Sequence, residues 1–201
     1  MTVSVGVLIS GSGTNLQALL DGCDSPESPA RIAVVISNRR DAFGLERARK
    51  AGVPAVWVPH RKRTREDFEQ ELIAVLQEYD VSWVMLAGFM RVLTPTFLTA
   101  YPNRVLNIHP SLLPSFPGIN AQQQAFDSGV KVTGATVHFV DSGMDTGPIV
   151  LQGSVPILDD DSVESLRERI LSVEHQIFPQ ALRLAVTGKL RIHGNRVLVA
   201  T

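Results

Sequence analysis

The first half of the chain alternates β-branched runs with amphipathic stretches, and that alternation leaves few folds open. Val3–Ile9 and residues 31–36, 55–58, 81–87 and 104–108 read as strands. Between them, Leu16, Leu19 and Leu20 fall at helical spacing, and residues 43–51 read as a helix stopped by Gly52. Residues 64–79 form a longer helix with Phe68, Leu72, Val75 and Leu76 on one face, and Thr64 with Asp67 makes a capping-box-like start. Strands separated by helices pair in parallel, because parallel neighbours need a crossover element. The expected fold is therefore α/β, a doubly wound and mostly parallel sheet. The second half differs. Residues 134–140 and 149–155 read as strands with only a Gly-rich loop between them, so they should pair antiparallel. Residues 162–186 form the longest helical stretch, with Pro179 predicting a kink or break. Leu190–His193 and Arg196–Val199, joined by Gly194-Asn195, predict a terminal hairpin.

Composition narrows the function classes. The 201 residues fit one domain, 1–201, against a prior of ~150 residues per domain. Nineteen basic and twenty acidic residues give a net charge of −1, which argues against binding nucleic acid by general phosphate attraction. The single cysteine, Cys23, excludes an internal disulfide framework and a cysteine-rich zinc site. The histidines, His60, His109, His138, His175 and His193, lack short ligand spacing, so no metal is expected. No apolar run approaches the ~20 residues of a membrane span, and no signal peptide is visible. A soluble, cytoplasmic protein is the expectation.

Chemistry concentrates in three loops. Ser10-Gly11-Ser12-Gly13-Thr14-Asn15 lies where a strand feeds a helix, and a helix N-terminus offers unpaired N–H groups and a favourable dipole to an anion. The competing reading is a tight turn capped by Ser12 or Thr14. A dinucleotide fingerprint fits poorly: Leu16 fills the third small position, and Asn38-Arg39-Arg40 replaces the acidic end of the second strand. NADP remains an alternative through the arginine pair, but one phosphate monoester fits better.

Asn107 and His109 are two apart at the carboxyl end of a strand, hence on one face, and Pro110 favours extended backbone at His109. An amide donor beside an imidazole can hold a carbonyl oxygen as it becomes an oxyanion. The bland alternative is a strand end capped by local backbone bonds. Asp145 lies in the Gly143–Gly147 loop, where a carboxylate near an imidazole would favour the imidazolium. An Asx-turn is the competing role, and Asp141 is the competing carboxylate. His138 reads as a packed or hydrogen-bonded strand residue, and His60 and His193 as solvated.

In order and spacing, Ser10-Gly11-Ser12-Gly13-Thr14-Asn15-Leu16-Gln17, Ala87-Gly88-Phe89-Met90-Arg91, Asn107-Ile108-His109-Pro110-Ser111-Leu112-Leu113-Pro114 and Asp145-Thr146-Gly147-Pro148 resemble the folate-dependent formyltransferases, and within them the bacterial phosphoribosylglycinamide formyltransferases. The likeness runs from about residue 3 to about residue 186. It implies a Rossmann-like formyltransferase fold and formyl transfer from 10-formyltetrahydrofolate, a cosubstrate, to the amine of 5-phosphoribosyl-glycinamide. It assigns catalysis to Asn107, His109 and Asp145, and phosphate binding to Gly13, Thr14 and Asn15. Glu174 falls on a ribose-side contact, and Arg65, Met90, Arg91, Val92 and Leu93, with Asn107, on the folate site. After Pro117-Gly118 the chain reads Ile119-Asn120-Ala121-Gln122-Gln123 where some relatives carry His and Arg, so no substrate contact is carried over there.

The rival reading within the resemblance is hydrolysis of the same folate. That relative resembles a longer chain with an N-terminal regulatory domain, whereas the first strand here begins at Val3. The rival from another class is a non-catalytic nucleotide-binding module. The partners implied are small molecules, with no nucleic acid and no membrane, and a homodimer is left open.

Overall fold

Val3–Ile9 (β1) carries five aliphatic side chains with only the small Ser4 and Gly6 between them, and it is buried on both faces, as in the interior of a parallel sheet. In the computed structural model, which describes residues 2–200, the chain packs as two compact units that divide between Leu106 and Asn107.

In the first unit β1 pairs in parallel with Ala30–Ser37 (β2), and β2 in parallel with Ala55–Trp57 (β3). Trp83–Leu86 (β4) lies parallel on the other side of β1, giving the order β3-β2-β1-β4. Thr14–Cys23 (α1), Phe43–Lys50 (α2) and Arg65–Glu78 (α3) are the intervening helices. α1 buries Leu16, Leu19 and Leu20. Thr64 caps α3 by accepting the Asp67 N–H at 3.0 Å, as the sequence predicts. α3 buries Phe68, Leu72 and Leu76 and also Glu69. Leu76 packs into space that a side chain at Gly6 of β1 would occupy. Pro95–Ala100 (α4) is not among the sequence expectations, although Thr94 as N-cap and Pro95 at its first turn are start signals. Its single apolar anchor, Phe97, is too little for a period to show.

Val105–His109 (β5) carries the chain into the second unit. There Ala121–Asp127 (α5) precedes Val132–Phe139 (β6) and Ile149–Pro156 (β7). β6 and β7 pair antiparallel, as expected from the missing crossover. Val163–Val186 (α6) contacts both of them. Leu190–His193 (β8) and Arg196–Val199 (β9) form the expected hairpin, and β9 joins β7 in parallel, so the order is β5-β6-β7-β9-β8. Of the kink or break expected at Pro179, the break does not occur: α6 runs as one helix through it. Ile177, Phe178, Ala181 and Leu182 are buried on either side, and that packing outweighs one lost ladder bond.

The start of α6 is tied by charge. The Asp161 carboxylate, 3% exposed, receives Arg169 in a two-pronged contact at 2.6 and 2.7 Å and also accepts the Leu158 N–H. The Arg169 guanidinium, then the Leu158 and Ser165 donors, hold this carboxyl well below the usual carboxylate range. A carboxyl depressed on folding contributes stability above its unfolded pKa of about 3.9, and that contribution is lost as pH falls toward its folded value. Asp161→Asn should therefore lower Tm at pH 7, with the gap to wild type narrowing progressively below about pH 4 in calorimetric scans.

Candidate active site

β5 ends with Asn107 and His109 side by side, because alternate residues of a strand share a face. His109 is 4% exposed. Its Nε2 lies 2.8 Å from the Phe116 carbonyl oxygen, which can only accept, so Nε2 carries a proton. Its Nδ1 lies 3.5 Å from Asp145 Oδ2. An acceptor thus lies at each ring nitrogen.

The segment that supplies the Phe116 carbonyl is tied to β6 and β7. The Thr136 hydroxyl donates to the Ser111 carbonyl at 2.7 Å and accepts the Leu113 N–H at 3.0 Å. Gln152 Nε2 donates to the Leu113 carbonyl at 2.9 Å. The loop that faces the imidazole is thus itself held by bonds to β6 and β7.

Asp145 takes a left-handed backbone, φ 55°, and its Oδ2 accepts the Gly118 N–H at 2.8 Å. Burial, the largest single influence, pushes this carboxyl up. The His138 ring, the Gly118 N–H and the charges of His109 and His138 together outweigh it and leave the carboxyl below its ordinary value. Asp141 does different work. Its Oδ1 accepts the Gly143 N–H at 3.0 Å and the Thr146 hydroxyl at 2.7 Å, an Asx-turn that folds the loop. Of the two carboxylates, only Asp145 faces the imidazoles.

His138 completes the group, and the sequence analysis assigns it no such place. It is buried on β6, with Nδ1 2.9 Å from the Phe139 carbonyl. Its Nε2 lies 3.1 Å from Asn107 Nδ2 and 3.6 Å from Asp145 Oδ1. Nδ1 thus faces the Phe139 carbonyl, while Nε2 lies between the Asn107 amide and the Asp145 carboxylate and borders both. The available signal was alternation: Thr136, His138 and the strand end at Val140 share a side of the strand in the sequence pattern.

The other expected site residues lie elsewhere. Gly13, Thr14 and Asn15 open α1 in the first unit. The N-cap is Gly13 itself, φ 73°, with no side-chain cap, which corrects the competing reading of a turn capped by Ser12 or Thr14. The first-turn N–H groups are therefore not occupied by a capping side chain, and no acidic residue sits in that turn. The loop is buttressed by α2: Gly44 N–H bonds the Gly11 carbonyl at 3.1 Å and Arg47 Nε the Ser12 carbonyl at 2.9 Å. A Cβ on Gly13 would meet Gly44 Cα at 2.6 Å. Gly13 is thus required by packing and by its backbone angle, and its replacement would disturb the loop itself.

Arg65 is exposed at the start of α3. Met90, Arg91, Val92 and Leu93 lie between β4 and α4, with Met90 69% and Val92 46% exposed and Leu93 buried. Glu174 is buried on α6. His193 is exposed as expected. His60 is half-buried rather than fully solvated: its Nδ1 lies 2.9 Å from the Asn38 carbonyl and its ring meets Phe68 edge-on at 6.2 Å. Among the described residues no helix is long and apolar enough to cross a membrane.

The formyl transferase family model matches residues 3–182. A trifunctional purine biosynthetic protein adenosine-3 from Bos taurus is 48% identical over 95% of this chain, and this chain spans only 19% of that protein. The phosphoribosylglycinamide formyltransferase of Escherichia coli K12 is 42% identical, over 96% of this chain and 92% of its own length. Glycinamide ribonucleotide transformylase 1 from Symbiobacterium toebii is similar in structure, with a TM-score of 0.97 at 56% identity over 100% of this chain and 95% of that one.

Proposed function

Because the chain belongs to the formyl transferase family, we propose that it transfers a formyl group from 10-formyltetrahydrofolate to the primary amine of 5-phosphoribosyl-glycinamide. The observation that carries the reading is the buried His109 ring, held between the Phe116 carbonyl and the Asp145 carboxylate beside the Asn107 amide. The family match runs through residue 106, which supports treating residues 1–201 as one formyltransferase domain.

In this reading the amine attacks the formyl carbon directly, the carbonyl oxygen gains negative charge, and the bond from carbon to the folate nitrogen then breaks. Asn107 donates an N–H to the oxyanion, and the His109 imidazolium stabilises the same charge. His109 also gives a proton to the departing folate nitrogen, while the attacking amine loses one. Asp145 stabilises the imidazolium and helps carry that amine proton. No covalent enzyme intermediate is required.

The uncapped start of α1, with Gly13, Thr14 and Asn15, suits the phosphate monoester of the acceptor. Met90 and Val92 expose apolar surface beside the Arg91 side chain, and with Arg65 they suit an aromatic molecule carrying carboxylates. Glu174 is assigned to the ribose side of the acceptor.

The test is the absorbance of folate deformylation, followed with and without 5-phosphoribosyl-glycinamide. Turnover that requires the amine supports the transferase. Amine-independent turnover would make the protein a hydrolase, and no turnover under either condition would favour a binding module.

A further inference from the structure

Glu69 is 2% exposed on α3, and neither the proposed chemistry nor the apolar packing of that helix uses it. Burying a carboxyl is costly unless its oxygens find donors. Here both do, and both donors belong to one residue. Oε1 accepts the Thr94 N–H at 2.7 Å and Oε2 accepts the Thr94 hydroxyl at 2.5 Å. Thr94 directly follows Leu93, at the end of the segment that joins β4 to α4.

The other side of that segment is tied as well. Met90 N–H donates to Ser10 Oγ at 2.9 Å, and the same hydroxyl donates to Asn38 Oδ1 at 2.7 Å. Ser10 and Asn38 are each 5% exposed. The donation to Asn38 turns a lone pair of Ser10 toward Met90, so the backbone bond is oriented rather than incidental. Between these ties Met90 and Val92 present their side chains to solvent while Leu93 is buried. Exposed apolar side chains get little help from packing in holding a shape. The shape of residues 90–93 rests on the buried Leu93 and on buried polar bonds from α3 and from the end of β1.

We propose that Glu69 and Ser10 are positioning residues that clamp residues 90–93 from both ends and so preform the surface that receives the formyl-folate. The proposal rests on the reading of that segment given above. Preforming a binding segment lowers the ordering cost of association, so losing a clamp should weaken binding of the folate rather than slow the chemistry.

Steady-state kinetics with each substrate varied in turn test this. Glu69→Ala leaves two buried donors of Thr94 without partners and should raise the formyl-folate KM roughly tenfold. The KM for 5-phosphoribosyl-glycinamide and kcat at saturating folate should stay within about twofold, the mark of lost ground-state binding. Glu69→Gln should recover most of the affinity, because its amide still accepts the Thr94 N–H and can donate to the hydroxyl oxygen. Thr94→Val and Ser10→Ala, each removing one hydroxyl, should shift the same KM in the same direction, and they keep the test open if Glu69→Ala does not fold. An unchanged folate KM in the folded variants, or an equal rise in both KM values, overturns the clamp while leaving the transferase reading intact. A wild-type protein that neither binds nor consumes formyl-folate overturns both.

Discussion

His109→Ala should lower kcat by about 10²–10⁴-fold, the usual worth of a positioned acid or base. Each nitrogen of the imidazole faces an acceptor, one the Phe116 carbonyl and one Asp145. Removing it takes away the proton for the leaving nitrogen and the cation beside the oxyanion together. The fold should survive, because the following loop is held independently through Ser111, Leu113, Thr136 and Gln152. KM values should move little, since the lost interactions strengthen only as charge develops. Asn107→Ala removes one oxyanion donor and should cost less, about 10²–10³-fold. Both are read by turnover at saturating concentrations of both substrates. Near-wild-type turnover in His109→Ala would pass the donor role to another group, with His138 the nearest imidazole to Asp145 besides His109.

How far the sequence carried this picture depends on which forces set each part. The parallel first half was legible because strands buried on both faces are rich in aliphatic residues, as β1 and β2 are. Asn107 and His109 were legible as a pair because a period of two fixes their common face. The choice between Asp141 and Asp145 was not legible, since both lie among glycines and either can fold a turn. Which one turns toward the imidazoles is set by the left-handed backbone at Asp145 and by the Gly118 N–H, a bond across 27 residues. His138 escaped for a similar reason, because its meaning comes from the neighbouring β5 and the Asp145 loop, not from its own strand. Glu69 reads in sequence as one more charge on a helix. Only the fold brings it against Thr94, a partner 25 residues away. α4 and α5, at six and seven residues, are too short for a hydrophobic period to declare itself.

Asp145→Asn should cost about 10²–10⁴-fold in kcat while leaving the fold in place. The substitution keeps the shape and an acceptor for the Gly118 N–H, so the loop retains its tie. What it removes is the negative charge that lies 3.5 Å from His109 Nδ1 and 3.6 Å from His138 Nε2. In the wild type that charge persists at neutral pH, since the carboxyl sits below its ordinary value despite its burial. Without it the imidazolium loses its counter-charge, and the acid needed by the leaving nitrogen becomes harder to form. The alkaline limb of the kcat profile should therefore move to lower pH in Asp145→Asn. Asp141→Asn makes the control. Its Oδ1 serves only as an acceptor for the Gly143 N–H and the Thr146 hydroxyl, and an asparagine carbonyl can accept both. Its kcat and its pH profile should match the wild type within about twofold. A crippling effect at Asp141 with an unaltered pH profile at Asp145 would mean that the carboxylate acts by folding the loop, and the amine proton would then need another route out.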